Sequence, residues 1–345
     1  MLCIPVVIQY RILRYRMLKI VCIIPSVCSD TTLPYLKQCI HALRTSAITH
    51  VQLTIIVVSN NPNARTLLKN THVDAVYRAD VSFGFAQLNN TAIGKSIKIY
   101  DSDYYLCIND DAWVAENFFA VFNKIAQSHK PDLLSPRIYT PDGSIDSFGI
   151  EYFTSGYAEN SHSRSFKTTC APASCLVVKT EFLKKMKQTY SYYFNPLLHA
   201  YYEDVEFSIR ANAIGGSIMK KWRLIAYHRG SSSYGKNSKE VMFYTFRNIL
   251  WTIGMTWPKQ YLLIYLPQIL MTQAWFIFCS IRDGGWWIYP KILIETLKQK
   301  SSLYQYRCRI THAYTQPFSN VFSQYWFRTR RNARPFIFPF TTQNR

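Results

Sequence analysis

Three short, uninterrupted apolar runs constrain this chain more than any other feature: Ile20-Val21-Cys22-Ile23-Ile24, Leu53-Thr54-Ile55-Ile56-Val57-Val58 and Tyr104-Tyr105-Leu106-Cys107-Ile108. A strand with one wet face alternates apolar and polar residues, so a strand that does not alternate is covered on both faces. Helix-like spacing separates the runs. Leu36, Ile40 and Leu43 recur in the stretch from Leu33 to Leu43, and a second helical pattern runs from Phe85 to Ile99. Buried strands alternating with helices predict a parallel sheet flanked by helices. Ligands in such sheets bind beyond the carboxyl ends of the strands, where Pro25-Ser26, Ser59-Asn60 and Asn109 fall. After Asp111 the rhythm changes. Residues 130–180 are broken by Pro131, Pro136, Pro141-Asp142-Gly143 and Pro172 into short strands, and a helix is predicted from Glu203 to Ala213, stopped by Gly215-Gly216.

Composition narrows the partners. The net charge of +20, from 40 Lys and Arg against 20 Asp and Glu, attracts polyanions such as nucleoside diphosphates, anionic lipid or nucleic acid. The nine cysteines form no CxxC pair and no zinc spacing; Cys22 and Cys107 lie inside strand runs, as buried thiols of a reducing compartment do. The opening MLCIPVVIQYRILRYR places arginines after its apolar stretch, the reverse of a signal peptide. It reads either as a basic, membrane-touching extension or as sequence upstream of a start at Met17. No charge occurs between Lys259 and Arg282, and Trp251, Trp257, Trp275, Trp286 and Trp287 surround that interval. Pro267 and its glutamines weigh against a spanning helix, leaving a span, membrane-surface helices and a buried helical pair as alternatives. From Ser301 to Arg345 there are seven arginines, no lysine and no acid, which suits an anionic surface or a solvated tail.

Three polar groups carry chemistry. Asn109-Asp110-Asp111 follows a buried strand directly. Hard divalent cations take oxygen ligands from one or two carboxylates plus phosphate oxygens, so the turn suits a metal-diphosphate site. Its structural alternative is a cap opening a helix from Trp113 to Ala126. Glu203-Asp204 is either acid favoured by a helix N-terminus or a place for a general base at Asp204; Glu206 and Arg210 read as a local pair. His228 follows the apolar Leu224-Ile225-Ala226 and precedes Arg229-Gly230-Ser231-Ser232-Ser233, so metal or diphosphate contact stands beside a plain structural role.

In order, these patches resemble the family 2 glycosyltransferases of the GT-A fold, especially their bacterial rhamnosyltransferase-like branch. Lys19 to Pro25 is similar to the family's opening strand, and Ile55 to Pro62 to its second strand and nucleoside-binding turn. Phe83-Gly-Phe-Ala-Gln-Leu-Asn-Asn90 resembles the branch's "GFaxxxN" signature, Tyr105 to Asp111 the strand and metal motif, and Tyr202 to Arg210 the "EDvdl..R" helix. His-Arg-Gly-Ser-Ser from His228 is similar to the loop closing the donor site. The likeness spans residues 18 to 235. It implies a Rossmann-like mixed, mainly parallel sheet flanked by helices, followed by a helical membrane-associated appendage over 236–300 and a basic tail over 301–345.

It further implies inverting transfer from a dTDP- or UDP-sugar, with dTDP-rhamnose among the donors, to a glycan or lipid-linked acceptor. The setting would be the cytoplasmic face of the membrane, in cell-envelope polysaccharide synthesis. By the same resemblance Asp204 is the base, Asp111 and His228 hold Mn2+ or Mg2+, and Pro25, Ser26, Ser59, Asn60, Phe83, Gly84, Asn89 and Asp110 contact the donor. Glu203 and Trp113 lie toward the acceptor. Two positions depart from the family: Ser59 stands where an acid usually contacts the nucleoside, and Asn109 where the metal motif has its first acid. Two other functions compete. A basic nucleic-acid-binding protein is permitted by charge but shows no recognised module, and a nucleotidyltransferase would want a glycine-rich loop where Pro25-Ser-Val-Cys-Ser-Asp30 has none.

Overall fold

The computed structural model describes residues 17–163, 169–230 and 238–322. The Gly-Ser loop after Gly230, the N-terminal extension before Met17 and most of the basic tail lie outside the described residues. The first half runs β1 (Leu18–Pro25), α1 (Leu33–Thr45), β2 (Val51–Ser59), α2 (Ala64–Leu67), β3 (Ala75–Arg78), α3 (Phe85–Ser96), β4 (Tyr104–Ile108), β5 (Ala112–Val114) and α4 (Phe118–Ser128). The middle runs β6 (Leu133–Tyr139), β7 (Ile145–Ser147), β8 (Ile150–Tyr152), β9 (Ala158–Asn160), β10 (Cys175–Lys179), α5 (Thr180–Tyr190), α6 (Glu203–Ala213) and β11 (Ile218–His228). Helices α7 (Lys239–Thr256), α8 (Lys259–Ile264), α9 (Leu266–Arg282), α10 (Ile288–Lys298) and α11 (Lys300–His312) follow.

The main sheet has the order β3-β2-β1-β4-β10-β6-β11-β5, with β7 paired to β6. β1 runs parallel to both β2 and β4, so the turns after Pro25, Ser59 and Ile108 share one edge. β10 lies antiparallel between β4 and β6, which makes the sheet mixed. The pleat sorts each strand's apolar residues. Ile20, Cys22 and Ile24 face α1 and α4, whose Leu36, Cys39, Ile40, Leu43, Phe118 and Phe122 complete one core. Val21, Ile23, Ile56 and Val58 face the other way, onto α3, α5 and α6. This double covering is why the three runs do not alternate.

Two expectations are corrected. Trp113 does not open a helix: Ala112–Val114 pairs with Ala226–His228 as a short strand, and the helix begins at Phe118. The cross-strand stack of Trp113 on Tyr227, with ring centroids 5.3 Å apart, favours that pairing over a helical start. The uncharged interval after Lys259 is broken at Tyr265 into α8 and α9, and among the described residues no helix is long and apolar enough to cross a membrane. The first part of the tail is folded: α11 buries Ile310, while Arg309 donates to the Tyr190 carbonyl at 3.0 Å and Arg307 to that of Gly254.

Candidate functional site

The site is built on the carboxyl edge shared by β1, β2 and β4. Ser26 Oγ donates to Asp110 Oδ2 at 2.6 Å and accepts from the Cys28 amide at 3.0 Å, joining the turns after β1 and β4. Asp110 is buried. Burial raises its carboxyl to about 6, the Ser26 bond opposes that, and the neighbouring Asp111 adds to it. Asp110 therefore faces the first-strand turn, while Asp111 faces β11.

His228, the last residue of β11, stands between two carboxylates. Its Nε2 lies 3.3 Å from Asp111 Oδ1 and its Nδ1 3.1 Å from Asp146 Oδ2. Burial alone would strip the imidazole of its proton; hydrogen bonds to Asp111 and Asp146 outweigh it and raise the group to about 9. Asp146 was not singled out in the sequence. The Pro141-Asp142-Gly143 turn is its signal: the turn folds β7 back on β6, setting Ser147 opposite Ile138 and Asp146 beside His228.

Among the described residues no three His, Cys, Asp or Glu side chains enclose a metal ion by themselves. Asp111 and His228 nevertheless converge, and Asp146 at Nδ1 fixes the ring so that Nε2 points at Asp111. A carboxylate behind a histidine is the usual support of a metal-ligating imidazole. These residues fit a hard divalent cation as a partial shell, to be completed by phosphate oxygens and water. Arg229 follows; its amide donates to the Asp111 carbonyl at 3.2 Å and its guanidinium lies over the Tyr35 and Trp113 rings, 4.6 and 5.6 Å from their centroids. It places a cation at the rim, and the sequence reading passed over it.

Asp204 reaches this edge through the backbone before β10. Its Oδ2 accepts from the Ala173 amide at 3.2 Å and its Oδ1 from the Val205 amide at 2.8 Å, while the adjacent Ser174 carbonyl accepts from the Asn109 amide at 3.1 Å. Burial raises the Asp204 carboxyl above its ordinary range against those bonds; Glu203 is pushed well up by burial and then by Asp204. Of the two, Glu203 has its proton affinity raised the more strongly. Glu206 and Arg210 form a fully buried pair at 2.8 Å, as expected of a local ion pair.

The segment entering α6 is unusual. His199, Tyr201 and Tyr202 all take positive φ, at 60°, 64° and 72°, a conformation that persists in non-glycine residues only when neighbours over-determine it. Asn248 of α7 supplies that restraint: its amide nitrogen donates to the carbonyls of Leu198, Ala200 and Tyr201 at 2.8, 2.8 and 2.7 Å. Arg247 adds longer bonds to Leu197 and Leu198, and the His199 ring stacks on Tyr244. On the other side His199 presses on Gly84, where a Cβ would come within 2.5 Å of the His199 carbonyl oxygen. Glycine is required there by close approach.

The remaining expected donor residues are dispersed. Ser59 is fully buried and its hydroxyl accepts from the Asn61 amide at 3.1 Å. Asn60 donates to the Val81 and Phe83 carbonyls at 3.4 and 3.3 Å, tying the second-strand turn to the Phe83-Gly84 segment. Asn89 turns back on the Phe85 carbonyl of its own helix. Its neighbour Asn90 makes the tertiary contact, exchanging bonds of 2.7 and 2.8 Å with the Phe194 backbone. Trp113 belongs to the Tyr227 stack beside His228.

No protein-family model matches this sequence, and no curated protein matches it either. Solved structures match its shape. Residues 1–349 of S. aureus TarS in complex with UDP-GlcNAc superpose with a TM-score of 0.52 at 16% identity, over 86% of this chain and 89% of that one. GalNAc-T7 with UDP, GalNAc and Mn2+ gives 0.52 at 14% identity, over 71% of this chain and 49% of that one. This chain therefore spans about half the length of the GalNAc-T7 chain. At 14–16% identity this likeness bears on the fold alone: it supports the expected mixed, mainly parallel sheet flanked by helices, and it does not show the expected membrane-associated appendage.

Proposed function

We propose that this chain is an inverting, family 2-like glycosyltransferase of the rhamnosyltransferase-like branch, moving a sugar from a dTDP- or UDP-sugar to a hydroxyl of a glycan or lipid-linked acceptor. One observation carries the reading: Asn109, which opens the turn that sets Asp111 beside His228, and Asp204 bond to two consecutive residues, Ser174 and Ala173. That link supports a shared site for a diphosphate's charge and the half-buried Asp204 carboxylate. The bound UDP of both structural relatives, and the Mn2+ of GalNAc-T7, support a nucleotide-sugar donor and a divalent cation for this chain too.

Asp204 takes the acceptor's proton. Its raised affinity for a proton makes it a stronger base than an ordinary aspartate. The freed oxygen bonds to the anomeric carbon from the side opposite the nucleoside diphosphate, whose glycosidic oxygen leaves with the electron pair. A bound Mn2+ or Mg2+, held by Asp111 and His228, would supply charge neutralisation for that leaving group. Asp110 and Ser26 hold the two turns together under the donor, and Arg229 adds a second cation at the rim. Catalysis at the cytoplasmic face of an anionic membrane, in envelope polysaccharide synthesis, suits the +20 charge.

Thermal-shift titration with dTDP- and UDP-sugars tests the reading. Stabilisation by a nucleotide-sugar only when Mn2+ or Mg2+ is present, and its loss in Asp111→Ala, is expected. Equal stabilisation without metal, or none by any nucleotide-sugar, contradicts it.

A further inference from the structure

Helix α9 has its polarity reversed for a helix in water. Its buried side carries Ile269, Thr272, Gln273, Phe276, Cys279 and Ser280. That side is fixed against the protein: the Phe276 ring stacks on Phe246 of α7 at 4.4 Å, and Gln273 Oε1 accepts from Tyr289 of α10 at 2.9 Å. Its outward side carries Leu270, Met271, Ile277, Phe278 and Ile281, all exposed. Before the terminal Arg282 the exposed residues of α9 are all apolar, while Thr272, Gln273 and Ser280 are turned in beside Ile269 and Phe276. A surface helix bathed by water shows the opposite arrangement.

The exposure is also concentrated. Twelve of the nineteen exposed large hydrophobic residues among those described fall between Leu263 and Leu297. Scattered single exposures are ordinary, whereas a contiguous apolar face marks an interaction surface. Leu263 and Ile264 of α8 extend the face at one end, and Trp286 stands beyond the other.

Charge selects the occupant. The apolar interval is bounded by Lys259 and Arg282, and from Lys259 to His312 there are seven Lys and Arg against only Asp283 and Glu295. Both acids are already paired, Asp283 with Arg282 and Glu295 with Arg247. The segment that carries the apolar face therefore keeps a surplus of positive charge, from Lys259, Lys291, Lys298 and Lys300 among others. A face that is apolar in its middle, basic at its edges and bordered by tryptophan complements the interface of an anionic bilayer. Its orientation follows from size. The 17 residues of α9 reach only about 25 Å, short of a hydrocarbon core of about 30 Å, and protein occupies its other side.

We infer that the outward face of α8 and α9 is a docking surface that lies in the plane of an anionic lipid bilayer. It would bring the edge that holds Asp111 and Asp204 to a lipid-anchored acceptor. That consequence rests on the proposed function, whereas the docking does not.

The experiment is co-sedimentation of the full chain with vesicles of phosphatidylcholine alone and with about 30 mol % phosphatidylglycerol. It compares the wild type with the triple variant Leu270→Glu, Phe278→Glu, Ile281→Glu. These side chains are exposed, so the variant should melt like the wild type and hydrolyse a soluble nucleotide-sugar at the same rate. Binding to anionic vesicles by the wild type, weakened about tenfold or more in the variant and by raised salt, is the expected result. Three outcomes overturn the inference: no vesicle binding by the wild type, equal binding by the variant, or light scattering that shows a dimer which the variant turns into monomer. Absence of any sugar-nucleotide hydrolysis would count against the proposed function alone, since sedimentation reads docking without it.

Discussion

His228 keeps a proton because two carboxylates share one imidazole. Burial works against the charged ring and the bonds to Asp111 and Asp146 win, so the group titrates near 9 in the folded protein against 6.5 ordinarily. Folding therefore takes up a proton between those values. The stabilisation is complete below about 6.5 and is lost as pH rises through about 9, on the order of 3 kcal/mol in all. Asp110 runs in the same sense: burial lifts it from 3.8 to about 6, so its contribution is present below 3.8 and gone above about 6. Metal-free protein should accordingly melt several degrees lower at pH 9 than at pH 6, and His228→Gln should flatten the upper part of that slope. A melting temperature that climbs over this interval would falsify the paired-carboxylate account. At this scale the sequence was partly legible. Asp111, Asp204 and His228 could be named from motifs, but Asp146 could not. Its role comes from a hairpin that returns it beside β11, and a single aspartate in an irregular stretch carries no periodic signal.

Elements, more than motifs, hold Glu203 and Asp204 in place. The entry to α6 runs through three left-handed non-glycine residues, each an intrinsic cost of about 1–3 kcal/mol, and Asn248 of α7 offsets this by binding three carbonyls at once. Asn248→Ala should destabilise by about 2–4 kcal/mol, because three partly buried carbonyls lose their donor. It should also lower kcat more than it raises the donor KM, since Asp204, the proposed base, moves while the Asp111 edge does not. An unchanged kcat in folded Asn248→Ala would show that α7 does not position the base. Two glycines of the α3 region separate close approach from helix propensity. Gly84→Ala forces a methyl into the His199 carbonyl and should cost activity. Gly94→Ala, with nothing within 4 Å, should stabilise α3 by about 0.5–1 kcal/mol. The opposite ranking in paired melting curves and rate assays contradicts this packing. None of the α7 contacts was readable beforehand: Arg247-Asn248 sits mid-helix in a segment that carries no motif.

Across the whole molecule, β1, β2 and β4 were readable because burial on both faces leaves an unbroken apolar run, whereas the parallel edge strand β3, four half-exposed residues, has none. Nor were the shortest strands readable. β5, β7, β8 and β9 are each three residues long, too short for any period, and their pairings are set by turns and cross-strand rings such as Trp113 on Tyr227. The uncharged interval showed its composition but not its break at Tyr265, whose ring packs on Trp257 and Phe322. What unites these parts, on the proposed function, is an edge where Asp111 and His228 would neutralise a diphosphate and Asp204 would accept a proton. The most direct measurement is the rate at which a dTDP- or UDP-sugar releases its nucleoside diphosphate, with Mn2+ and with chelator, in wild type, Asp111→Ala and Asp204→Asn. The account predicts Mn2+-dependent release by the wild type. It predicts loss of metal-dependent donor binding in Asp111→Ala, and about 100-fold or slower turnover with donor binding retained in Asp204→Asn. Full turnover in both variants, or release indifferent to metal, contradicts it.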